Sequence, residues 1–123
     1  MKPSGYSHGI ETDGRRTIYL AGQIAADAGG NVIAPGDIVL QFDKALANLQ
    51  ETLRFAHANM TDIVKLLIFV KDKALYRRHL KQIGSIYRNY FGKYFPAMSL
   101  VEVSALFEDD ALIEIEGIAV VNE

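Results

Sequence analysis

Apolar residues recur along this 123-residue chain in three different rhythms. From Ile38 onward the spacing is helical: Phe42, Ala45, Leu46, Leu49, Leu53 and Ala56 fall on one face. Pro35-Gly36-Asp37 precedes them, so Asp37 is expected to cap a helix of roughly twenty residues ending near Asn59. A second helical stripe, Tyr76, Leu80, Ile83, Tyr87 and Phe91, predicts one helix capped by Asp72 and stopped by Gly92 at the C′ position. Between the two, Ile63–Val70 is almost continuously apolar, the pattern of a strand buried on both faces. One helix layer covers only one face of a sheet, so the other is expected to be covered by a partner subunit.

Extended segments flank these elements. Tyr6–Thr12 and Arg16–Ile24, separated by the turn signal Asp13-Gly14, predict an N-terminal β-hairpin. Near the C-terminus, Leu100–Ala105 and Leu112–Val121 read as a second hairpin around the acidic cluster Glu108-Asp109-Asp110. The predicted order is ββ-α-β followed by α-ββ, in one domain over residues 1–123. In the last strand Glu114 and Glu116 sit among Ile113, Ile115, Ile118 and Val120. A strand has period two, so both carboxylates leave the same face. Acids in so apolar a strand need a partner or a wet cleft, which makes this strand the first place to look for chemistry.

Composition narrows the function classes. Half of the residues are hydrophobic, 23% are charged and the net charge is −2, an ordinary globular profile without the basic excess expected of a nucleic-acid or anionic-membrane surface. Cysteine is absent, which removes disulfides, thiolate nucleophiles and Cys-ligated metals. The opening residues lack the apolar run of a signal peptide and no 18-residue apolar span occurs, so a cytoplasmic location is the expectation.

Beyond the glutamates the candidates are few. His8, His57 and His79 show none of the spacings of a zinc site. His57 suits a helix C-terminus, where a cation meets the dipole; His8, beside Tyr6, is a possible pocket residue. Gly22, between Ala21 and Gln23 at the end of a strand, permits a bulge or the close approach of a ligand. Phosphate-cradle motifs are absent, and Ser4, Ser7, Ser85, Ser99 and Ser104 have no evident base. The basic run Lys71, Lys73, Arg77, Arg78, His79 and Lys81 reads as a solvated face before it reads as an anion site.

Four segments in register, GYSHGIETDGRRTIYLAGQIAAD, DIVKLLIFVKD, YFPAMSLVEVSAL and LIEIEGIAVV, resemble the YjgF/RidA enamine/imine deaminase family, from about Tyr6 to Val121. The resemblance implies an α+β fold, a chorismate-mutase-like mixed β-sheet backed by two α-helices. It further implies assembly as a homotrimer with ligand clefts between subunits. The implied reaction is hydrolysis of reactive 2-imino or enamino acids, small-molecule substrates, to 2-keto acids and ammonia, without metal or organic cofactor. By position, Glu114 matches the acid that holds or activates water, Ala21 and Gly22 match the pocket-lining turn, and Tyr6 matches the aromatic at the cleft.

One departure bears on substrate. Family deaminases carry arginine in the FPARS segment, where it grips a substrate carboxylate; here that position is Met98, and an asparagine of the second helix is replaced by Gly84. A thioether cannot hold a carboxylate, so a substrate other than the standard 2-imino acids is expected. His8, Arg77 and Arg78 are the candidates for a replacement charge. The sequence reading is therefore a deaminase-type hydrolase with catalytic Glu114 and a pocket formed by Tyr6, His8, Ala21, Gly22, Gln23 and Met98. Its alternative is a non-catalytic trimer that binds small metabolites or proteins. RNA cleavage, proposed for members of the family, gains no support from the acidic charge balance.

Overall fold

The computed structural model describes residues 5–122. Four strands, β1 (Arg16–Gln23), β2 (Ile63–Val70), β3 (Ala97–Glu102) and β4 (Ile113–Val121), form one mixed sheet in the order β1-β4-β2-β3. Helix α1 (Ile38–Phe55) lies between β1 and β2, and α2 (Lys73–Arg78) and α3 (Leu80–Phe91) lie between β2 and β3. β4 pairs antiparallel with both β1 and β2, whereas β2 and β3 run parallel. The architecture is thus α+β, with every helix on one side.

Helix α1 starts where expected: Asp37 Oδ1 accepts the Leu40 N–H at 3.0 Å. Its stripe of Phe42, Ala45, Leu46, Leu49 and Leu53 is fully buried against the sheet and α3. On the sheet the matching face consists of Leu66, Ile68 and Val70 of β2 with Ile113, Ile115, Ala119 and Val121 of β4. Tyr87 ties α3 to the chain entering β3, stacking on Phe91 and Phe95 at centroid distances of 4.4 and 5.4 Å and donating to the Tyr94 carbonyl at 2.7 Å. Among the described residues no helix is long and apolar enough to cross a membrane.

Three sequence expectations are corrected. The N-terminal hairpin does not form. Ser7 instead makes a parallel bridge to Ala97 at the outer edge of β3, with its N–H on the Pro96 carbonyl at 3.0 Å and its hydroxyl on the Phe95 carbonyl at 2.6 Å. Gly14 is not in the positive-φ conformation that a tight hairpin turn demands. It is a close-approach position: a Cβ there would lie 2.2 Å from Val120 Cγ1.

The C-terminal hairpin does not form either, because β2 lies between β3 and β4. The acidic segment is a crossover, long enough to span a strand. Third, the second helix breaks at His79, whose Nδ1 donates to the Leu75 carbonyl at 2.9 Å; Asp72 still caps its start and Gly92, at φ +63, ends it. Finally, β2 is buried on one face only within the chain. Lys65, Leu67 and Phe69 on the opposite face stay half-buried, as do Glu114, Glu116, Ile118 and Val120 of β4.

Candidate active site

Glu114 opposes Phe69 in the ladder and therefore stands on the helix-free face. Across from it β1 carries a bulge: Leu20 pairs with Gly117 and Gln23 with Ile115, so Ala21 and Gly22 together oppose Glu116, one residue more than the partner strand. The bulge brings the Gly22 backbone against the carboxylate. A Cβ on Gly22 would fall 2.3 Å from Glu114 Oε2, so no other residue leaves this carboxylate in place. Gln23 braces the bulge by donating its Nε2–H to the Ala21 carbonyl at 3.3 Å. A mixed polar and apolar face with one positioned acid is the result.

A second feature lies on the other side of the sheet. A cavity of about 520 Å³ opens between α3 and β3, beneath the N-terminal segment. Tyr6, Phe42, Ile68, Tyr76, Ile83, Tyr87, Phe95 and Met98 form its apolar wall, and Gly84 and Arg88 form its rim on α3. Met98 pairs with Leu66 and so shares the helix-side face. Burial pushes the Tyr76 phenol up to about 12. The Ser7 bridge to β3 is what carries Tyr6 to this cavity.

The residues expected to act together therefore form two groups within one chain. Glu114, Ala21, Gly22 and Gln23 cluster at the bulge; Tyr6 and Met98 line the cavity on the opposite face. His8 is exposed and tilts against the Tyr6 ring at 5.6 Å without lining the cavity. Arg77 and Arg78 are exposed on α2 and likewise do not line it. Glu102 faces the helix side, where its carboxylate accepts the Lys73 N–H at 2.9 Å, and so does not join Glu114. His57 ends up exposed just past α1 at φ +56, and Ser4 lies outside the described residues. Among the described residues no three His, Asp or Glu side chains converge as a metal-ligand set.

Sequence reasoning missed Gln41 and Arg88. Gln41 is fully buried on α1: its Nε2 donates to the carbonyls of Ile33, Ala34 and Asp110, and its Oε1 accepts the Leu112 N–H at 2.8 Å. It thereby fixes the chain that feeds Glu114 into β4. Its place on the apolar stripe next to Phe42 was the available signal. For Arg88, the signal was its helical i+4 spacing from Gly84.

Residues 2–121 match the family model described as Endoribonuclease L-PSP. The chain belongs to this family, the YjgF/RidA family. The 2-iminobutanoate/2-iminopropanoate deaminase of Capra hircus is 33% identical over 94% of this chain and 79% of its own length. A RutC family protein of Pyrococcus abyssi is 37% identical over 96% of this chain and 88% of its own. Among solved structures, the Rid family protein YyfB of Yersinia pestis, described as of unknown function, superposes with a TM-score of 0.85 at 37% identity, covering 98% of this chain and 92% of that one. The YjgF gene product of E. coli superposes at 0.71 with 34% identity over 94% and 87%. This YjgF/RidA member thus shares its fold with solved structures of a family whose printed names differ.

Proposed function

We propose that the protein is an imine/enamine hydrolase of the deaminase type, acting on a substrate other than the standard 2-imino acids, in a cleft between neighbouring copies of a homotrimer. The observation that carries this reading is the Glu114 carboxylate, held against a glycine bulge on a sheet face that the chain itself leaves uncovered. The half-buried Leu67, Phe69, Ile118 and Val120 and the 78%-exposed Tyr19 are the apolar surface such packing would bury. Assembly would bring the Glu114 group of one subunit to the Tyr6–Met98 cavity of the next, joining the two groups that one chain keeps apart. The relatives named as iminobutanoate deaminases support the reaction class.

In the reaction, Glu114 accepts a proton from water as its oxygen adds to the C=N carbon, and the nitrogen takes a proton. The tetrahedral adduct then expels ammonia and leaves the carbonyl product, so that one imine and one water give one ketone and one ammonia. An enamine enters the same path after protonation at carbon. Backbone N–H groups around Gly22 and Gln23 would hold a polar substrate group, with Tyr6, His8 and Met98 shaping the pocket.

The test is ammonia release from freshly generated imines by wild type and Glu114→Gln, alongside light scattering for assembly. Loss of turnover of about a hundredfold or more with unchanged mass supports the proposal. Equal turnover in the two proteins, or a monomer that is fully active, would overturn it.

A further inference from the structure

Tyr76 joins the cavity wall from α2, whose start is fixed by Asp72 Oδ1 accepting the Leu75 N–H at 3.0 Å. Its ring meets Phe42 of α1 edge-on, with centroids 6.4 Å apart and planes at 71°. Tyr87, Tyr90 and Tyr94 follow it in the chain, and each of their hydroxyls has an acceptor. Tyr87 donates to the Tyr94 carbonyl at 2.7 Å, Tyr90 to Asp43 Oδ1 at 2.6 Å, and Tyr94 to the Ile63 carbonyl. The Tyr76 hydroxyl has no such acceptor among the described residues. No enclosed side-chain oxygen or nitrogen among those residues lacks a hydrogen-bond partner, so the Tyr76 oxygen borders open space. Burial nonetheless raises its phenol to about 12, so that space is not bulk water. What a desolvated, partnerless hydroxyl on this wall faces is the cavity, whose volume is within the range of small-molecule sites.

We infer that the Tyr76 hydroxyl is a specificity-determining contact of this site, and that the substrate is an imine or enamine whose apolar body carries an uncharged oxygen acceptor away from the reacting carbon. Phe42, Ile68, Ile83, Phe95 and Met98 offer that body an apolar wall without a hydrogen-bond donor. Arg88, the one charged lining residue, is exposed, so its charge stays in water. A hydroxyl or carbonyl oxygen entering beside Tyr76 takes up the free O–H, and neither group is then buried unpaired. An ionised carboxylate in the same place would lose its hydration for a single neutral donor, which does not offset the loss. This assignment rests on the hydrolase reading for the identity of the reacting group; the Tyr76 contact itself does not.

Calorimetric titration of the intact assembly with para-(hydroxymethyl)acetophenone, para-ethylacetophenone and para-acetylbenzoate tests the contact. The first two are isosteric ketones that differ by a hydroxyl in place of a methyl; the third carries a charge. Wild type is expected to bind the hydroxymethyl ketone most tightly, and the benzoate about tenfold or more weaker. Tyr76→Phe keeps the ring and its packing on Phe42. It is expected to weaken the hydroxymethyl ketone about tenfold, placing it behind the ethyl ketone, whose affinity stays unchanged. A wild type that prefers the ethyl ketone or the benzoate, or an order that Tyr76→Phe leaves as it was, overturns the assignment. Ammonia release from the matching imines, with Glu114→Gln in parallel, separates this claim from the hydrolase reading. A Tyr76-dependent order without any turnover leaves the contact standing and removes the hydrolase. Glu114-dependent turnover with an order indifferent to Tyr76 keeps the hydrolase and removes the contact.

Discussion

Both faces of the sheet carry large apolar side chains, but these end in different states. On the helix side Leu66, Ile68, Ile113 and Ile115 are no more than 3% exposed, and the chain completes their packing by itself. On the other side Leu67, Phe69, Ile118 and Val120, from the same two strands, stay half-buried. The helix-side face is apolar throughout, whereas the open face mixes apolar residues with Lys65, Glu114 and Glu116, and the helices of the chain cover only the first. The chemistry divides the same way. The closed side carries an apolar cavity with one cation lining it, and the open side carries a carboxylate beside a glycine bulge. A face that a chain leaves uncovered is therefore where the acid is found, and the covered face is where shape and apolar contact are found.

Paired truncations break this comparison most sharply. Ile115→Ala should cost about 2–5 kcal/mol in urea unfolding at any protein concentration, because it opens a hole in a core complete within the chain. Ile118→Ala, three residues away on the open face, should instead make stability depend on protein concentration and shift the mass seen by light scattering. If both variants behave alike, the two faces do not differ in the way argued. Next in size is Gly22→Ala. Its new Cβ would sit 2.3 Å from Glu114 Oε2, so the carboxylate must move. Turnover should drop by about a hundredfold while the circular dichroism spectrum stays the same; retained turnover would show that the bulge does not position the acid.

The closed side predicts a pH effect. Tyr76 is raised from 10.0 to about 12 by burial. Below pH 10 both folded and unfolded chains keep this proton, and its contribution is fully present. Between pH 10 and 12 the unfolded chain releases the proton while the folded one holds it, so stability falls by about 1.4 kcal/mol per pH unit from this group. Tyr76→Phe should match wild type at pH 8 and lose less stability at pH 11, a difference readable in urea melts. The smallest effect concerns the N-terminal segment. Ser7→Ala removes the hydroxyl bond to the Phe95 carbonyl and should cost about 1 kcal/mol. Faster hydrogen exchange at the Ser7 amide would report the loosened contact that carries Tyr6 to the cavity.

Local signals in the sequence were legible where the physics is local. Asp37 and Asp72 cap their helices, Gly92 ends α3, and Ile63–Val70 is a strand to the residue. The errors came where pairing is long-range. Asp13-Gly14 has the composition of a hairpin turn, but Gly14 serves a packing contact with Val120, and β1 finds β4 rather than its sequence neighbour. The acidic crossover was misread in the same way, since nothing local announces that β2 will enter between β3 and β4. In the candidate site, Glu114 and Gly22 were legible one by one, whereas their contact was not: 92 positions apart, they meet only through the β1–β4 register.

By itself the sequence determined the family, the main helix and the central strand, and the identity of the groups available for chemistry: two acids in an apolar strand, a glycine at a strand end, an aromatic near the N-terminus and no cysteine. Spacing and composition suffice for these because they depend on neighbours within a turn of helix or two residues of strand. Only the tertiary structure decided that Met98 and Glu114 stand on opposite faces, that Gln41 anchors the entry to β4, and that Arg88 reaches the cavity across Gly84. Each of these depends on register or on side-chain direction, and a single residue of slip would reverse it.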